Sequence, residues 1–179
     1  MKGVIFNLLE EAVTADFGDH VWSDLIDAAG VHGGYTSLGS YPDEDILVLV
    51  STAAAALGKT DGEILQWFGR AAMPMLAQRY SEFFVHHASA RPFILSVNEI
   101  IHPEVRKLYS GAGCPYFHFE DDPEGHLLVG YRSARQMCQL AHGFIEGAAG
   151  YYGERVSIDH QLCMQEGDPL CRMAVAWNG

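Results

Sequence analysis

The sequence predicts an α+β domain, helix-rich over residues 1–112 and sheet-containing over 113–179. Three observations lead there. Apolar residues recur at three- and four-residue spacing through most of the first part, the signature of amphipathic helices. After Gly113 come two pairs of short strand-like stretches, each pair joined by an Asp/Pro/Gly turn, with one long helical stretch between the pairs. That is the pattern of a small, mostly antiparallel four-stranded sheet with packed helices. No internal repeat and no long linker divides the 179 residues, enough for a single domain with its own core.

Residues 2–16 place Ile5, Leu8, Leu9, Ala12 and Val13 on a helical stripe, and 19–29 repeat the pattern with Trp22, Leu25 and Ile26 before Gly30. Residues 31–40, rich in Gly and Ser, read as a connection. Pro42-Asp43-Glu44-Asp45 opens a third helix, with its acids at the positive end of the dipole, running to Leu57. Thr60 and Glu63 have capping-box spacing and open a fourth, which Pro74 is expected to kink or divide. Residues 80–88 are expected to form a shorter helix. Ser96 and Glu99 repeat the capping-box spacing ahead of a helix carrying His102. Strands are expected over 116–120, 126–133, 156–162 and 170–177, with the long helix over 134–152.

Composition narrows the function. Apolar residues make up 49% of the chain, with 19 glycines and 7 prolines, so nothing points to disorder. Eleven basic residues against 23 acidic ones give a formal charge of -12, which disfavours nucleic acid or an anionic membrane as partner. The start lacks the pattern of a signal peptide and no run approaches transmembrane length, so the expected location is cytoplasmic without membrane insertion.

Two stretches can carry chemistry. His102 follows two isoleucines and sits among Val105 and Leu108, so it is either a core histidine or an axial metal ligand. Tyr131, Ser133 and Arg135 share one direction under strand alternation, if the strand reaches Arg135. Two hydroxyls and a guanidinium there make either a receptor for carboxylate or phosphate or a solvated strand end.

Taken together, Ile101-His102-Pro103-Glu104-Val105-Arg106-Lys107-Leu108-Tyr109 followed by Tyr131-x-Ser133-x-Arg135 resembles the haem nitric oxide/oxygen binding (H-NOX) domain, also found in soluble guanylate cyclase. The resemblance runs over essentially the whole chain and includes Tyr41-Pro42-Asp43 and the Gly/Ala-rich helix near Gly143. It implies an H-NOX-like fold and haem b, with His102 as proximal iron ligand and Tyr131, Ser133 and Arg135 holding the propionates. Ile5 and Pro115 match positions that press the porphyrin out of plane, though both also suit an ordinary core. In oxygen-binding members a tyrosine five positions after the motif arginine donates to bound oxygen. That position here is Leu140, and Leu9, Pro74 and Phe144 offer no donor either, while Gln139 is expected to point elsewhere.

The cysteines suggest a second site. Cys138, His160, Cys163 and Cys171 form a thiol and imidazole set suited to tetrahedral zinc, with His142 as a possible substitute; the alternative is buried free thiols. A disulfide suits a reducing compartment poorly. Cys114 receives no role, and His20, His32, His86, His87, His118 and His126 have no matching partners. No general acid/base pair or nucleophile stands out.

The expected protein is therefore a haem-based sensor selective for nitric oxide, not an enzyme. Nitric oxide would release His102 and shift the helical half against the sheet half. Output would be in trans, to a histidine kinase or a cyclic-di-GMP enzyme. The alternatives are an oxygen-binding haem sensor and a zinc-stabilised interaction module without haem.

Overall fold

The computed structural model describes residues 1–178; Gly179, the last residue of the expected sheet-containing part, lies outside them. Helices α1 (Gly3–Phe17), α2 (Asp19–Ala29), α3 (Asp43–Leu57) and α4 (Asp61–Arg79) come first. The Thr60 hydroxyl accepts from the Glu63 N–H at 3.2 Å and the Glu63 carboxylate accepts from the Thr60 N–H at 2.8 Å, so α4 opens with the expected capping box. Pro74 lies inside α4 without dividing it.

The segment after α4 departs from expectation. Residues 80–88 form only a 3₁₀ turn, Ser81–Phe83, and a short helix α5 (Ala90–Leu95) follows. Ser96 is not a cap: its hydroxyl donates back to the Phe93 carbonyl at 2.7 Å. The chain runs from α5 directly into a π-helical turn, Val97–Ile101, and then α6 (His102–Leu108), so there is no free helix start to cap. Pro103 supplies a reason for the wide turn. Its ring would crowd the carbonyl four residues back in an α-helix, and i→i−5 bonding moves that carbonyl away. The His102 N–H accordingly reaches the Val97 carbonyl.

Strands β1 (Tyr116–Asp121), β2 (Leu127–Arg132), β3 (Arg155–Leu162) and β4 (Cys171–Asn178) form one sheet in the order β1-β2-β4-β3, every pairing antiparallel. Helix α7 (Cys138–Tyr151) lies between β2 and β3 in sequence and packs along α4. The crossing is tight because it is built on glycine. A methyl group at Gly143 would sit 2.2 Å from the Gln66 carbonyl oxygen, and one at Gly69 would sit 2.6 Å from the Phe144 nitrogen.

Two apolar clusters result. One joins the N-terminal helices through Phe6, Leu8, Ile46, Leu49 and Phe68. The other joins the sheet to α5 and α7 through Phe93, Leu127, Val129, Ile145, Met173 and Val175. Fully buried side chains of this size stabilise by on the order of 1.5–3 kcal/mol each. Leu76 and Phe144 pack against both clusters, and an apolar cavity opens between them.

Candidate functional site

The cavity encloses about 310 Å³ and is lined almost wholly by carbon. His102, Tyr131, Ser133, Arg135, Ile5, Pro115, Leu140 and Phe144 all line it. Leu9 does not. The face of α1 turned to the cavity carries Val4, Ile5 and Leu8, while Leu9, one helical step further round, is buried in the helical cluster. Pro74 is likewise outside the lining, where α4 presents Met73 and Leu76. Gln139 accepts a hydrogen bond from the Gln66 amide at 2.5 Å, away from the cavity as expected.

His102 begins α6, directly after the π turn. That turn is tied to the sheet by Asn98, whose amide donates to the Phe117 carbonyl at 2.5 Å and whose oxygen accepts the Phe117 N–H at 3.2 Å. The His102 ring lies 5.9 Å from the Phe117 ring, and its Nδ1 is buried without a hydrogen-bond partner. Burial, with the Arg106 charge adding to it, pushes the imidazole down to about 4, and the Pro115 carbonyl offsets part of that. The ring is therefore neutral at ordinary pH, the form that ligates metals.

The polar end of the cavity is built by a turn, not by strand alternation. β2 stops at Arg132, so Ser133 and Arg135 lie in the turn before α7, where Gln136 has φ +52°. Tyr131 is 3% exposed, and its hydroxyl oxygen accepts from the Met137 N–H at 3.1 Å. The Ser133 oxygen accepts from the Arg135 N–H at 3.2 Å. Each hydroxyl oxygen thus accepts from a backbone donor. Arg135 donates through Nη1 to the Gly113 carbonyl at 2.5 Å. Its Nε lies 2.8 Å from the Asp43 carboxylate, an ion pair without the alignment of a hydrogen bond. Nη2 remains free. Arg132 is exposed, on the opposite side from Tyr131.

Sequence reasoning missed several groups here. Asp43 faces both Arg135 and the Met1 ammonium, at 2.5 Å from the latter. Burial alone would raise its carboxyl, but those two cations hold it below the usual value. Tyr80, capping α4, and Tyr109, capping α6, join their hydroxyls at the cavity wall, and burial together with Tyr109 pushes Tyr80 up to about 12. Cys114 also lines the cavity, its thiol raised by burial. These residues are far apart in sequence or lack a spacing signal.

The cysteine site is assembled in part. The sulfurs of Cys138, Cys163 and Cys171 all lie within 4.8 Å of one another, the three residues buried and their thiols free. Burial and the neighbouring thiols hold Cys138 protonated well above the usual thiol range. The Met164 N–H points at the Cys171 sulfur at 3.2 Å. His160 is not within that set. A bulge in β3 follows it, and its Nε2 is taken by Nδ1 of His142 at 2.9 Å. Its other nitrogen, Nδ1, is buried without a partner.

A sequence model of the haem-NO-binding family matches residues 2–160. Among solved structures, an H-NOX protein from S. oneidensis in the Fe(II)NO ligation state superposes with a TM-score of 0.93 at 28% identity, covering 100% of both chains. The Fe(II) unliganded H-NOX protein from K. algicida gives 0.88 at 23% identity, covering 100% of this chain and 97% of the other. A Cs H-NOX mutant carrying 4-cyano-L-phenylalanine gives 0.86 at 19%, covering 100% and 97%; likeness at these last two identities speaks for the fold alone.

Proposed function

The chain belongs to the haem-NO-binding family, whose members are haem gas-sensor domains and not enzymes, and from that premise we propose that it is a sensor selective for nitric oxide. The observation that carries the reading is the cavity itself. A neutral imidazole stands in an apolar chamber whose polar end is formed by Tyr131, Ser133 and Arg135. That donor set fits haem b, an apolar disc with two carboxylates and an iron.

Haem, when bound, supplies a ferrous iron able to take a diatomic gas. His102 would hold the iron as a neutral imidazole. Tyr131, Ser133 and Arg135 would hold the propionates. Ile5 and Pro115, both lining the cavity, would pack against the porphyrin. The walls supplied by Leu8, Met73, Leu76, Leu140 and Phe144 offer no donor to a bound gas. A buried hydrogen bond to a charged group is worth roughly 1.5–3 kcal/mol, or about ten- to a hundred-fold in affinity. Oxygen gains from such a donor and nitric oxide does not need it. One observation favours the oxygen-binding alternative: the Tyr80–Tyr109 pair has one hydroxyl proton not used between them.

A change in how His102 holds the iron would be passed to β1 through the π turn and Asn98, which is bonded to Phe117. The arrangements before and after that change are what a partner distinguishes. That partner is a histidine kinase or a cyclic-di-GMP enzyme in the cytoplasm, and the helix-rich and sheet-containing parts form one sensing unit. No helix of the described residues is long and apolar enough to cross a membrane. The three clustered thiols would hold a structural zinc tying α7 to the β3–β4 end of the sheet, with His160, which lies outside their cluster, as the candidate fourth donor; the zinc-stabilised module without haem is the rival that loses the cavity chemistry.

The experiment is replacement of His102 by Gly. Haem retention should be lost and restored by added imidazole, which enters the space left by the side chain. Haem content and an iron–imidazole vibration unchanged from the wild type would remove His102 from this role.

A further inference from the structure

The helix that carries His102 is held by little packing. Helix α6 is seven residues long, none of them is fully buried, and it packs chiefly on the π turn it continues. Asn98, in that turn, ties its start to β1. Among the described residues, the one side-chain hydrogen bond from its other end to the N-terminal helices joins the Tyr109 hydroxyl to that of Tyr80. We propose that Tyr80 and Tyr109 are positioning residues for His102: their hydroxyl–hydroxyl bond latches α6 to α4 and sets where the imidazole stands in the cavity. The part that concerns iron rests on the haem reading given above; the latch itself does not.

Each ring is set by a helix end. Tyr80 closes α4, its N–H donating to the Leu76 carbonyl at 2.8 Å, and its ring stacks on Phe83 at 6.0 Å and 22°. Tyr109 closes α6 in the same way, its N–H donating to the Val105 carbonyl at 2.8 Å. Seven residues at about 100° each return to within about 20° of the starting direction, so Tyr109 stands on the same face of α6 as His102, about 10 Å along the axis. Both line the cavity. A rotation of α6 that swings the imidazole therefore swings the phenol with it, and fixing the phenol fixes the imidazole.

The bond has no competitor. Among the described residues neither hydroxyl has another hydrogen-bond partner. Burial and the Tyr109 hydroxyl hold Tyr80 up at about 12, so it stays protonated at ordinary pH. A hydroxyl withdrawn from water without a partner is costly, so each tyrosine keeps the other in place. A helix with a fully buried face takes its position from that face. Helix α6 has no fully buried residue and takes its position from its two ends.

The test compares haem-loaded wild type with Tyr80→Phe, Tyr109→Phe and the double variant, all of which keep the rings. Backbone hydrogen exchange over residues 104–109 should speed up about two- to tenfold in all three and stay unchanged over α3. The double variant should gain no more than either single one, since all three lack the same bond. The iron–imidazole band of the ferrous protein should move to one new position common to the three. Wild-type exchange in either single variant overturns the latch, as does an additive effect in the double variant. Faster exchange with an unmoved band overturns the positioning of His102. Absence of any iron–imidazole band from the wild type overturns the haem reading instead, and the exchange rates still decide the latch.

Discussion

Asn98 holds the backbone of Phe117 from both sides, giving its amide to the carbonyl at 2.5 Å and taking the N–H at 3.2 Å. This is the direct link between the π turn that ends at His102 and the edge strand β1. Asn98→Ala removes both bonds and leaves two backbone groups without that partner. The expected loss of stability is roughly 1–3 kcal/mol, at a net 0.5–1.5 kcal/mol for each bond. In the haem-loaded protein the iron–imidazole vibration should broaden or shift, because the helix carrying His102 has lost its anchor. Equilibrium denaturation and the vibrational spectrum check the two parts separately.

Arg135 and Asp43 join the polar end of the cavity to the start of α3. Arg135→Ala should speed haem loss far more than Arg132→Ala, since Arg132 is exposed and turned away. Asp43→Asn should also speed haem loss, by a smaller factor, since Arg135 keeps its bond to Gly113. The pH dependence has a definite sign. Asp43 is held below its usual value in the folded protein, so an unfolded chain takes up its proton first as pH falls. The Asp43 contribution is complete above the ordinary carboxylate range. It shrinks as pH drops below about 3.8 and is gone below the folded value. Wild type and Asp43→Asn should therefore differ in stability at pH 7 and converge in acid, measured by denaturant midpoints.

Gly143 sets how closely α7 approaches α4. Gly143→Ala brings a methyl group against the Gln66 carbonyl, which is backbone and cannot swing aside. Overpacking of this kind costs about 1–3 kcal/mol, and the helices must separate to accommodate it. Because Leu140 and Phe144 line the cavity from α7, the haem absorption spectrum should shift along with the melting temperature.

Much of the fold and the site is legible in the sequence. Tyr131, Ser133 and Arg135 lie close together in sequence and with His102 carry a recognisable family pattern, and the sheet follows from alternation and two turns. The details that fail are those in which tertiary context decides. Ser96 has the spacing of a cap, but the helix boundary it implies does not exist once Pro103 makes the turn wide. Leu9 and Leu8 differ by one helical step, and only the packing of α1 says which of them faces the cavity. Strand alternation would aim Arg135 correctly for the wrong reason, since a turn places it. Asp43, Tyr80 and Tyr109 find partners 29 to 92 residues away, a pairing no local pattern encodes. Spacing alone groups His160 with the thiols, while the structure leaves it outside their cluster and against His142.

The most direct test of the central claim is a vibrational spectrum of the ferrous protein, recorded without gas, with nitric oxide and in air before it oxidises. The iron–His102 band should be present without gas, vanish with nitric oxide, and persist unchanged in air, because no wall residue beside Leu140 donates to oxygen. Retention of the band with nitric oxide would contradict release of His102. A stable oxygen-bound spectrum in air would contradict the selectivity, and its loss in Tyr80→Phe would trace the donor to the tyrosine pair.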